Sequence, residues 1–145
     1  MVTFTTGDMF SVPADIRVNT VNCVGVMGAG VALAFRNRYP AMFREYAAAC
    51  LRGEVRPGSL HVWTDGDIEV VNMPTKRHFR YPSTYEDVES GLAALRKHLS
   101  GRGRARVTLP APGCGCGGLD WSRVSELIRE HLADLDAEIT AFAPR

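Results

Sequence analysis

The chain has 145 residues, 46% of them hydrophobic, and its 17 basic and 16 acidic side chains nearly cancel. This length and composition predict one globular domain over residues 1–145 and exclude a disordered or fibrous chain. No apolar run is long enough to span a membrane, and the N-terminus lacks the layout of a signal peptide. The near-neutral charge argues against a general nucleic-acid coat, without excluding a local basic patch.

The first half of the chain begins with two strands followed by two helices. Alternating β-formers predict strands at residues 2–6 and 15–22. Apolar spacing and alanine content predict helices at residues 31–38 and 41–52, separated by Pro40.

Strands and helices alternate through the rest of the chain. The turn at Asp65-Gly66 joins two strands, and Ser83 or Thr84 is a candidate cap for a helix with leucines on one face. The predicted elements are strands at residues 59–64 and 68–73, a helix through residue 99, a strand at 107–110, a helix that follows Asp120 and a strand at 138–142. The order β-β-α-α-β-β-α-β-α-β predicts an α/β layered fold with a mixed sheet.

Cys23, Cys50, Cys114 and Cys116 form no C-x-x-C pair, and the four histidines are scattered. A zinc site is therefore not expected, and neither a metal nor a cofactor is predicted. Reduced thiols in a cytoplasmic protein fit this cysteine usage.

Two glycine-rich loops, at residues 23–30 and 113–118, each follow a predicted strand and precede a predicted helix. Glycine lets the backbone approach a ligand, and helix N-terminal amides attract anions. Together the loops predict a crevice for a diphosphate, with ordinary tight turns as the alternative. The pattern G-x-G-x-x-G at 113–118 lies before the last helix, where the dinucleotide fingerprint does not belong, and no Walker lysine follows either loop.

A basic segment follows the apolar run at residues 68–71. Residues 72–80 read Asn-Met-Pro-Thr-Lys-Arg-His-Phe-Arg, and Pro74 ends the regular structure. Lys76 stands among three further basic side chains. Neighbouring positive charge disfavours the ammonium form of a lysine, which is one way to make its amine nucleophilic. On these residues alone, a solvated basic loop is the simpler interpretation.

Three segments resemble macrodomains, in the branch that contains the DarG antitoxins and the terminal ADP-ribose glycohydrolases. Residues 19–30 (NTVNCVGVMGAG) resemble the first ligand loop, residues 72–80 the lysine-bearing segment, and residues 109–121 (LPAPGCGCGGLDW) the second ligand loop. The segments follow the family's order and spacing, and the resemblance spans essentially the whole chain. It implies a three-layer α/β/α fold with a mixed, roughly six-stranded sheet.

The resemblance implies an ADP-ribose site. Asp8 and Met9 match the adenine site, with a turn role as the alternative for Asp8. Asn22 matches the asparagine beside the distal ribose, and tying down the loop backbone is its alternative or additional role. The diphosphate and distal ribose are implied to contact Val26, Met27, Gly28, Ala29, Gly30, Val31, Thr75, Gly113, Cys114, Gly115, Cys116, Gly117 and Gly118.

Lys76 matches the catalytic lysine of this branch. The implied activity is an ADP-ribosyl glycohydrolase that removes mono-ADP-ribose from thymidine in DNA, from glutamate or aspartate esters in protein, or from both. The lysine would form a Schiff-base-type adduct that water resolves. Gly117 stands where the terminal glycohydrolases carry an aspartate that helps to release the adduct. Asp120 is therefore a candidate for catalytic support, although a helix N-cap is its simpler role.

Two other functions stay open, a non-catalytic ADP-ribose reader and an O-acetyl-ADP-ribose deacetylase. A pure reader has no use for a lysine at the distal ribose. The expected partners are ADP-ribose and ADP-ribosylated single-stranded DNA or protein, with no membrane, and a monomer is expected. The exposed arginines Arg102, Arg104 and Arg106 could meet DNA phosphates. Phe79 and Tyr81 could stack on an unpaired base or pack beneath their loop.

The chain also departs from the DarG antitoxins in two ways. Ala29 stands where those proteins often have a lysine. The further domain with which they bind their toxin has no counterpart in the sequence. A stand-alone enzyme and a domain excised from a longer protein are both compatible with this pattern.

Overall fold

A computed structural model describes the whole chain, residues 1–145. The strands are β1 (Val2–Thr5), β2 (Ile16–Val21), β3 (His61–Asp65), β4 (Ile68–Pro74), β5 (Arg106–Leu109) and β6 (Glu138–Phe142). The helices are α1 (Gly30–Arg38), α2 (Pro40–Leu51), α3 (Tyr85–Leu99) and α4 (Trp121–Leu132). Every predicted strand and helix is present in the predicted order, with ends that differ by a residue or two.

The six strands form one mixed sheet in the order β1-β6-β5-β2-β4-β3. All neighbouring pairs are parallel except β3 and β4, which are antiparallel. The turn at Asp65-Gly66 makes this exception, because a short hairpin can join only antiparallel strands. The carboxyl ends of β2, β4, β5 and β6 therefore meet at one edge of the sheet.

Helices cover both faces of the sheet. Val70 and Val71 are successive residues of β4, so their side chains point to opposite faces. Val71 packs in a core with the apolar faces of α3 and α4, and Val70 packs in a second core with α1 and α2. The three-layer α/β/α arrangement implied by the resemblance is confirmed. None of the helices is both long and apolar enough to cross a membrane.

Local sequence sets the helix ends. Thr84 is the N-cap of α3, where its hydroxyl accepts a hydrogen bond from the Asp87 amide at 3.1 Å. Pro40 begins α2, a position where the missing amide hydrogen costs nothing. The apolar face of α3 consists of Val88, Leu92, Leu95 and Leu99, all buried. Burying each of these leucines contributes about 2 kcal/mol to the stability of the fold.

Two short 3₁₀ turns lie where the sequence predicted only irregular connections. One spans Met9–Ser11 and the other Gly115–Gly117. In the first, the Asp8 carboxylate accepts a hydrogen bond from the Phe10 amide at 2.9 Å. A single turn held by one side chain leaves no periodic pattern in the sequence, so helical spacing could not reveal it.

Candidate active site

A cleft of about 880 Å³ opens at the carboxyl ends of the parallel strands. Its walls come from the loops that follow β2, β4 and β5, from the end of β6 and from the turn after β1. In open α/β sheets this edge is where ligands bind, because loops from several strands converge there. The volume suits a ligand of cofactor size.

Asn22 organises the first glycine-rich loop, residues 23–30. Its amide nitrogen donates to the Val26 carbonyl at 2.8 Å, and its side-chain oxygen accepts from the Val24 amide at 3.0 Å. The buried hydroxyl of Tyr46 lies 2.7 Å from the Asn22 carbonyl oxygen. Asn22 therefore has the loop-tying role that the sequence suggested, and it also lines the cleft.

The N-terminus of α1 faces the cleft. Its first residue is Gly30, and the N-cap is Ala29, whose side chain cannot accept a hydrogen bond. Both residues line the cleft. The amides of this first turn therefore have no side-chain partner, and together with the helix dipole they create a place that favours an anion such as a diphosphate.

The second glycine-rich loop requires glycine at position 113. Gly113 has φ +74°, and a Cβ there would lie 2.7 Å from the Leu119 side chain and 2.9 Å from that of Val88. The loop is closed by a hydrogen bond from the Leu119 amide to the Gly113 carbonyl at 3.0 Å. Any larger residue would push this loop out of the cleft wall.

A buried arginine stabilises the turn after β1 by hydrogen bonds to its backbone. Arg17, on β2, is only 8% exposed and donates to the carbonyls of Met9 and Val12 at 2.7 and 2.8 Å. Its guanidinium group also lies 5.4 Å from the centre of the Phe10 ring. These contacts fix Asp8, Met9 and Phe10 at one end of the cleft, where the resemblance implies the adenine.

Lys76 lies in the cleft wall directly after β4. The amides of Thr75 and Lys76 donate to the Val21 carbonyl at 2.9 and 3.4 Å, which fixes the segment against the end of β2. The Lys76 amine lies 3.5 Å from the Phe79 carbonyl oxygen, at the outer limit of a hydrogen bond. The chain contains only one other lysine, Lys97 on α3.

The residues that follow Lys76 form an ion pair and a cluster of aromatic rings, whereas the side chains of a solvated basic loop would be unpaired. Arg77 is paired with the Asp87 carboxylate at 3.2 Å, so part of the local positive charge is balanced. The His78 ring stacks on Phe79 with ring centres 4.3 Å apart and lies 5.0 Å from the Tyr81 ring. Phe79 and Tyr81 are 43% and 59% exposed. These two rings are therefore exposed and do not pack beneath the loop.

Two cysteines near the cleft, Cys23 and Cys114, are poor nucleophiles. Burial raises the pKa of the Cys23 thiol to about 11 and that of the Cys114 thiol to about 11. Both thiols are therefore protonated at neutral pH, whereas attack requires the thiolate. Nowhere do three or more His, Cys, Asp or Glu side chains come together as metal ligands would.

Most of the predicted site residues line this one cleft, namely Asp8, Met9, Asn22, Val26, Gly28, Ala29, Gly30, Val31, Thr75, Lys76, Gly113, Cys114, Gly115, Cys116 and Gly117. Three lie elsewhere. The Met27 side chain is fully buried in the core beneath the first loop, and Gly118 ends the 3₁₀ turn of the second loop with φ +81°. Asp120 occupies the N-cap position of α4 and accepts from the Ser122 hydroxyl at 2.7 Å.

The sequence reasoning missed several residues of the site. Phe10 and Ser83 line the cleft, and Arg17 and Tyr46 support it from the core. A charged side chain within a strand that reads as buried was a signal for Arg17, since charged side chains are rarely buried without partners. Ser83 and Tyr46 gave no sequence signal, because their roles depend on loops more than 20 residues away.

The arginines at the start of β5 do not adjoin the cleft. Arg106 pairs with Asp15 at 3.1 Å, and Arg102 pairs with Glu69 at 3.1 Å. Asp15, Glu69 and Arg106 all lie at or next to the amino ends of parallel strands, opposite the cleft edge. Arg102 and Arg106 therefore lie away from the cleft, and a contact between these arginines and DNA phosphates stays a prediction.

Comparison with known proteins agrees with this geometry. Residues 18–128 match the Macro domain family, and the chain belongs to the macrodomain family. It is 42% identical over 146 residues to the DNA ADP-ribosyl glycohydrolase of Mycobacterium tuberculosis, covering 96% of this chain and 42% of that protein. Its fold matches the macrodomain of Mycobacterium tuberculosis DarG with a TM-score of 0.95 and 39% identity, covering 100% of this chain and 99% of that one.

A third similar structure is Thermosipho africanus DarTG in complex with ADP-ribose. The TM-score is 0.90 and the identity 29%, over 99% of this chain and 41% of that one. The resemblance to DarG macrodomains drawn from the three sequence segments is thus confirmed. The chain spans about two fifths of the full length of its curated DNA ADP-ribosyl glycohydrolase relatives.

Proposed function

We propose that the protein binds an ADP-ribose unit in the cleft and hydrolyses the bond that links this unit to a thymidine base of single-stranded DNA. The observation that carries the proposal is the position of Lys76, in the cleft wall close to the second glycine-rich loop. Supporting it are relatives named DNA ADP-ribosyl glycohydrolase and the related DarTG structure that contains ADP-ribose.

The cleft would hold the substrate mainly by its backbone. The adenine would lie at Asp8, Met9 and Phe10, and the diphosphate at the amides of the α1 N-terminus. The distal ribose would then reach the region between Asn22 and Lys76. Fixed amides need no reorganisation when charge develops during the reaction, so they stabilise the transition state more effectively than mobile side chains.

Lys76 would act as the nucleophile. Its neutral amine attacks the anomeric carbon of the closed distal ribose ring, and a carbon–nitrogen bond forms. The bond to the DNA base breaks, and the base leaves with the electron pair and takes up a proton. Water then displaces the lysine nitrogen, which releases ADP-ribose and restores the amine.

The basic and aromatic segment beside Lys76 favours DNA as the substrate. His78, Phe79 and Tyr81 form a cluster of rings at the mouth of the cleft, and Arg80 lies 5.7 Å from the centre of the Phe79 ring. Exposed aromatic rings beside cations are typical of surfaces that bind single-stranded nucleic acid by stacking. Esters of glutamate or aspartate offer no base for such rings.

The test uses the wild-type protein and the variants Lys76→Ala and Lys76→Arg, with Lys97→Ala as the control for the other lysine. Each is incubated with thymidine-ADP-ribosylated single-stranded DNA, with glutamate-ADP-ribosylated protein and with O-acetyl-ADP-ribose. Wild type and Lys97→Ala should release ADP-ribose from the DNA. Both Lys76 variants should be slower by at least about 100-fold, since they lack the nucleophile. Calorimetry should show ADP-ribose affinity within about threefold of wild type, because most contacts are made by the backbone.

Other outcomes have distinct meanings. Equal release by wild type and Lys76→Ala would rule out the lysine mechanism. Tight ADP-ribose binding without release from any substrate would identify a reader module. Faster turnover of O-acetyl-ADP-ribose than of either macromolecule would identify a deacetylase.

A further inference from the structure

Ser83 is buried between the second glycine-rich loop and the start of α3. Its amide donates to the Gly117 carbonyl at 3.0 Å, so it anchors this loop. The residue is only 5% exposed, and its hydroxyl is shielded from solvent yet has no hydrogen-bond partner. A buried hydroxyl without a partner destabilises the folded state. Neither the fold nor the loop geometry accounts for this hydroxyl.

The Ser83 hydroxyl and the Lys76 stem are both neighbours of Gly117. A Cβ added at Gly117 would lie 2.4 Å from the Ser83 oxygen and 3.8 Å from Lys76 Cε. The Ser83 hydroxyl and the end of the Lys76 stem therefore both lie beside Gly117. Any side chain at position 117 would collide with Ser83, because even its Cβ would lie 2.4 Å from the Ser83 oxygen.

The Lys76 amine is weakly held in this arrangement. Its one hydrogen-bond partner is the Phe79 carbonyl oxygen, at 3.5 Å. A lysine stem has four rotatable bonds, so an amine held this loosely samples several directions. A nucleophile in a cleft reacts fast only when its lone pair is held toward the reacting carbon.

We propose that Ser83 is a positioning residue for Lys76. When the amine turns into the cleft, it donates one N–H to the Ser83 oxygen, and its lone pair points toward the anomeric carbon. The nitrogen keeps a hydrogen on it in the adduct, so the same hydrogen bond persists until water releases the sugar. This role rests on the proposed function.

The variant Ser83→Ala tests whether the Ser83 hydroxyl positions Lys76. Loss of the hydroxyl should reduce kcat on ADP-ribosylated DNA by about 10-fold or more, the size expected for one hydrogen bond to a charged or reacting group. The ADP-ribose Kd should stay within about twofold, because the loop anchor is the backbone of Ser83. The melting temperature should be unchanged or higher, since a buried unpaired hydroxyl is removed. Ser100→Ala, at the far end of α3, is the matched control.

A second measurement does not depend on turnover. The opened form of ADP-ribose carries an aldehyde, which condenses with an amine to give an imine and water, and cyanoborohydride reduces the imine to a stable secondary amine. Peptide mass spectrometry then reports the rate of labelling at Lys76, with Lys97 as the internal control. Labelling at Lys76 should be at least about fivefold slower in Ser83→Ala than in wild type.

The two readouts separate the possible failures. If wild type is labelled but does not turn over, the hydrolase function fails, and the ratio of labelling rates still decides the role of Ser83. Equal labelling and equal kcat in Ser83→Ala and wild type would overturn the positioning role. So would a joint loss of melting temperature, affinity and kcat, which indicates a structural role. Wild-type labelling at Lys76 no faster than at Lys97 would also overturn it, because the amine would then not be aimed at the sugar.

Discussion

Arg77 and Asp87 form an ion pair that joins the lysine-bearing segment to the first turn of α3. The guanidinium group lies 3.2 Å from the Asp87 carboxylate, whose side chain is nearly buried. The Asp87 amide in turn donates to the Thr84 cap at 3.1 Å. One residue next to Lys76 is therefore connected to the capping structure of a helix. This link restrains the direction in which Lys76 enters the cleft.

Arg77→Ala should slow the reaction without weakening ligand binding. The Arg77 side chain does not line the cleft, so ADP-ribose affinity should stay within about twofold of wild type, whereas kcat should fall by about two- to fivefold, as suits a partly exposed pair. Single-turnover kinetics and calorimetry measure these two quantities. Arg104→Ala, an exposed arginine at the opposite end of the sheet, serves as control. A larger effect on affinity than on kcat would show that Arg77 contacts the ligand.

Tyr46→Phe should loosen the first glycine-rich loop. The lost hydroxyl lies 2.7 Å from the Asn22 carbonyl oxygen and 3.0 Å from the Asn22 side-chain oxygen. Removing one such buried hydrogen bond costs about 1 kcal/mol of stability. The loosened loop of the variant must then order when ADP-ribose binds, so affinity falls by a similar amount, or about fivefold in Kd. Denaturant unfolding and calorimetry measure the two effects. Tyr39→Phe, whose hydroxyl has no partner, should change neither; equal changes in both variants would contradict the assignment.

His61 should make stability depend on pH near neutrality. Burial lowers the pKa of His61 below its ordinary value of 6.5, with smaller opposing effects of Glu45 and Glu54. Its Nδ1 lies 3.0 Å from the Asn72 amide nitrogen, which fits a neutral ring that accepts a hydrogen bond. The unfolded chain then binds a proton more readily than the folded one, so stability is lost as pH falls below about 6.5.

His61→Gln keeps an acceptor for Asn72 but cannot titrate in this range. Its melting temperature should therefore fall less than that of wild type between pH 7.5 and 5.5, as measured by calorimetry. The carboxylates with lowered pKa values, Asp15, Glu54, Glu69 and Asp134, have ordinary values of 3.8 or 4.5 and act below this window. An equal fall in melting temperature with pH in both proteins would show that protonation of His61 does not destabilise the folded state.

The sequence predicted the architecture well because local patterns specify it. Alternating residues in β2, the leucine face of α3 and the cap at Thr84 are each readable within one element, and the order of elements then restricts the topology. The lysine segment and both glycine-rich loops were placed correctly at one edge, since parallel strands bring their carboxyl ends together. Lys76 could be singled out because its neighbours in sequence resemble a known segment.

The sequence could not supply the contacts between distant segments. Arg17 supports the turn at Met9, and Ser83 lies against Gly117, only once the sheet has formed. Asp120 was a candidate for catalytic support with a helix N-cap as its simpler role, and it lies at the N-cap of α4, where its carboxylate accepts from the Ser122 hydroxyl. Hydrogen-bond partners far apart in the chain leave no periodic trace, so spacing alone cannot distinguish these roles.

Phe79 and Tyr81 should matter for DNA and not for the ADP-ribose unit. Stacking of one base on an aromatic ring is worth about 1–3 kcal/mol, so each alanine variant should raise KM for ADP-ribosylated single-stranded DNA by about 5- to 100-fold. With ADP-ribosyl-thymidine, which has no flanking bases, Tyr81→Ala should match wild type, because Tyr81 lies outside the cleft. Phe79→Ala should show a smaller effect there than on DNA, because Phe79 also lines the cleft. Leu51→Ala, at an exposed apolar residue on α2, controls for loss of surface area. Equal effects on DNA and on the nucleoside would mean that these rings act only within the cleft.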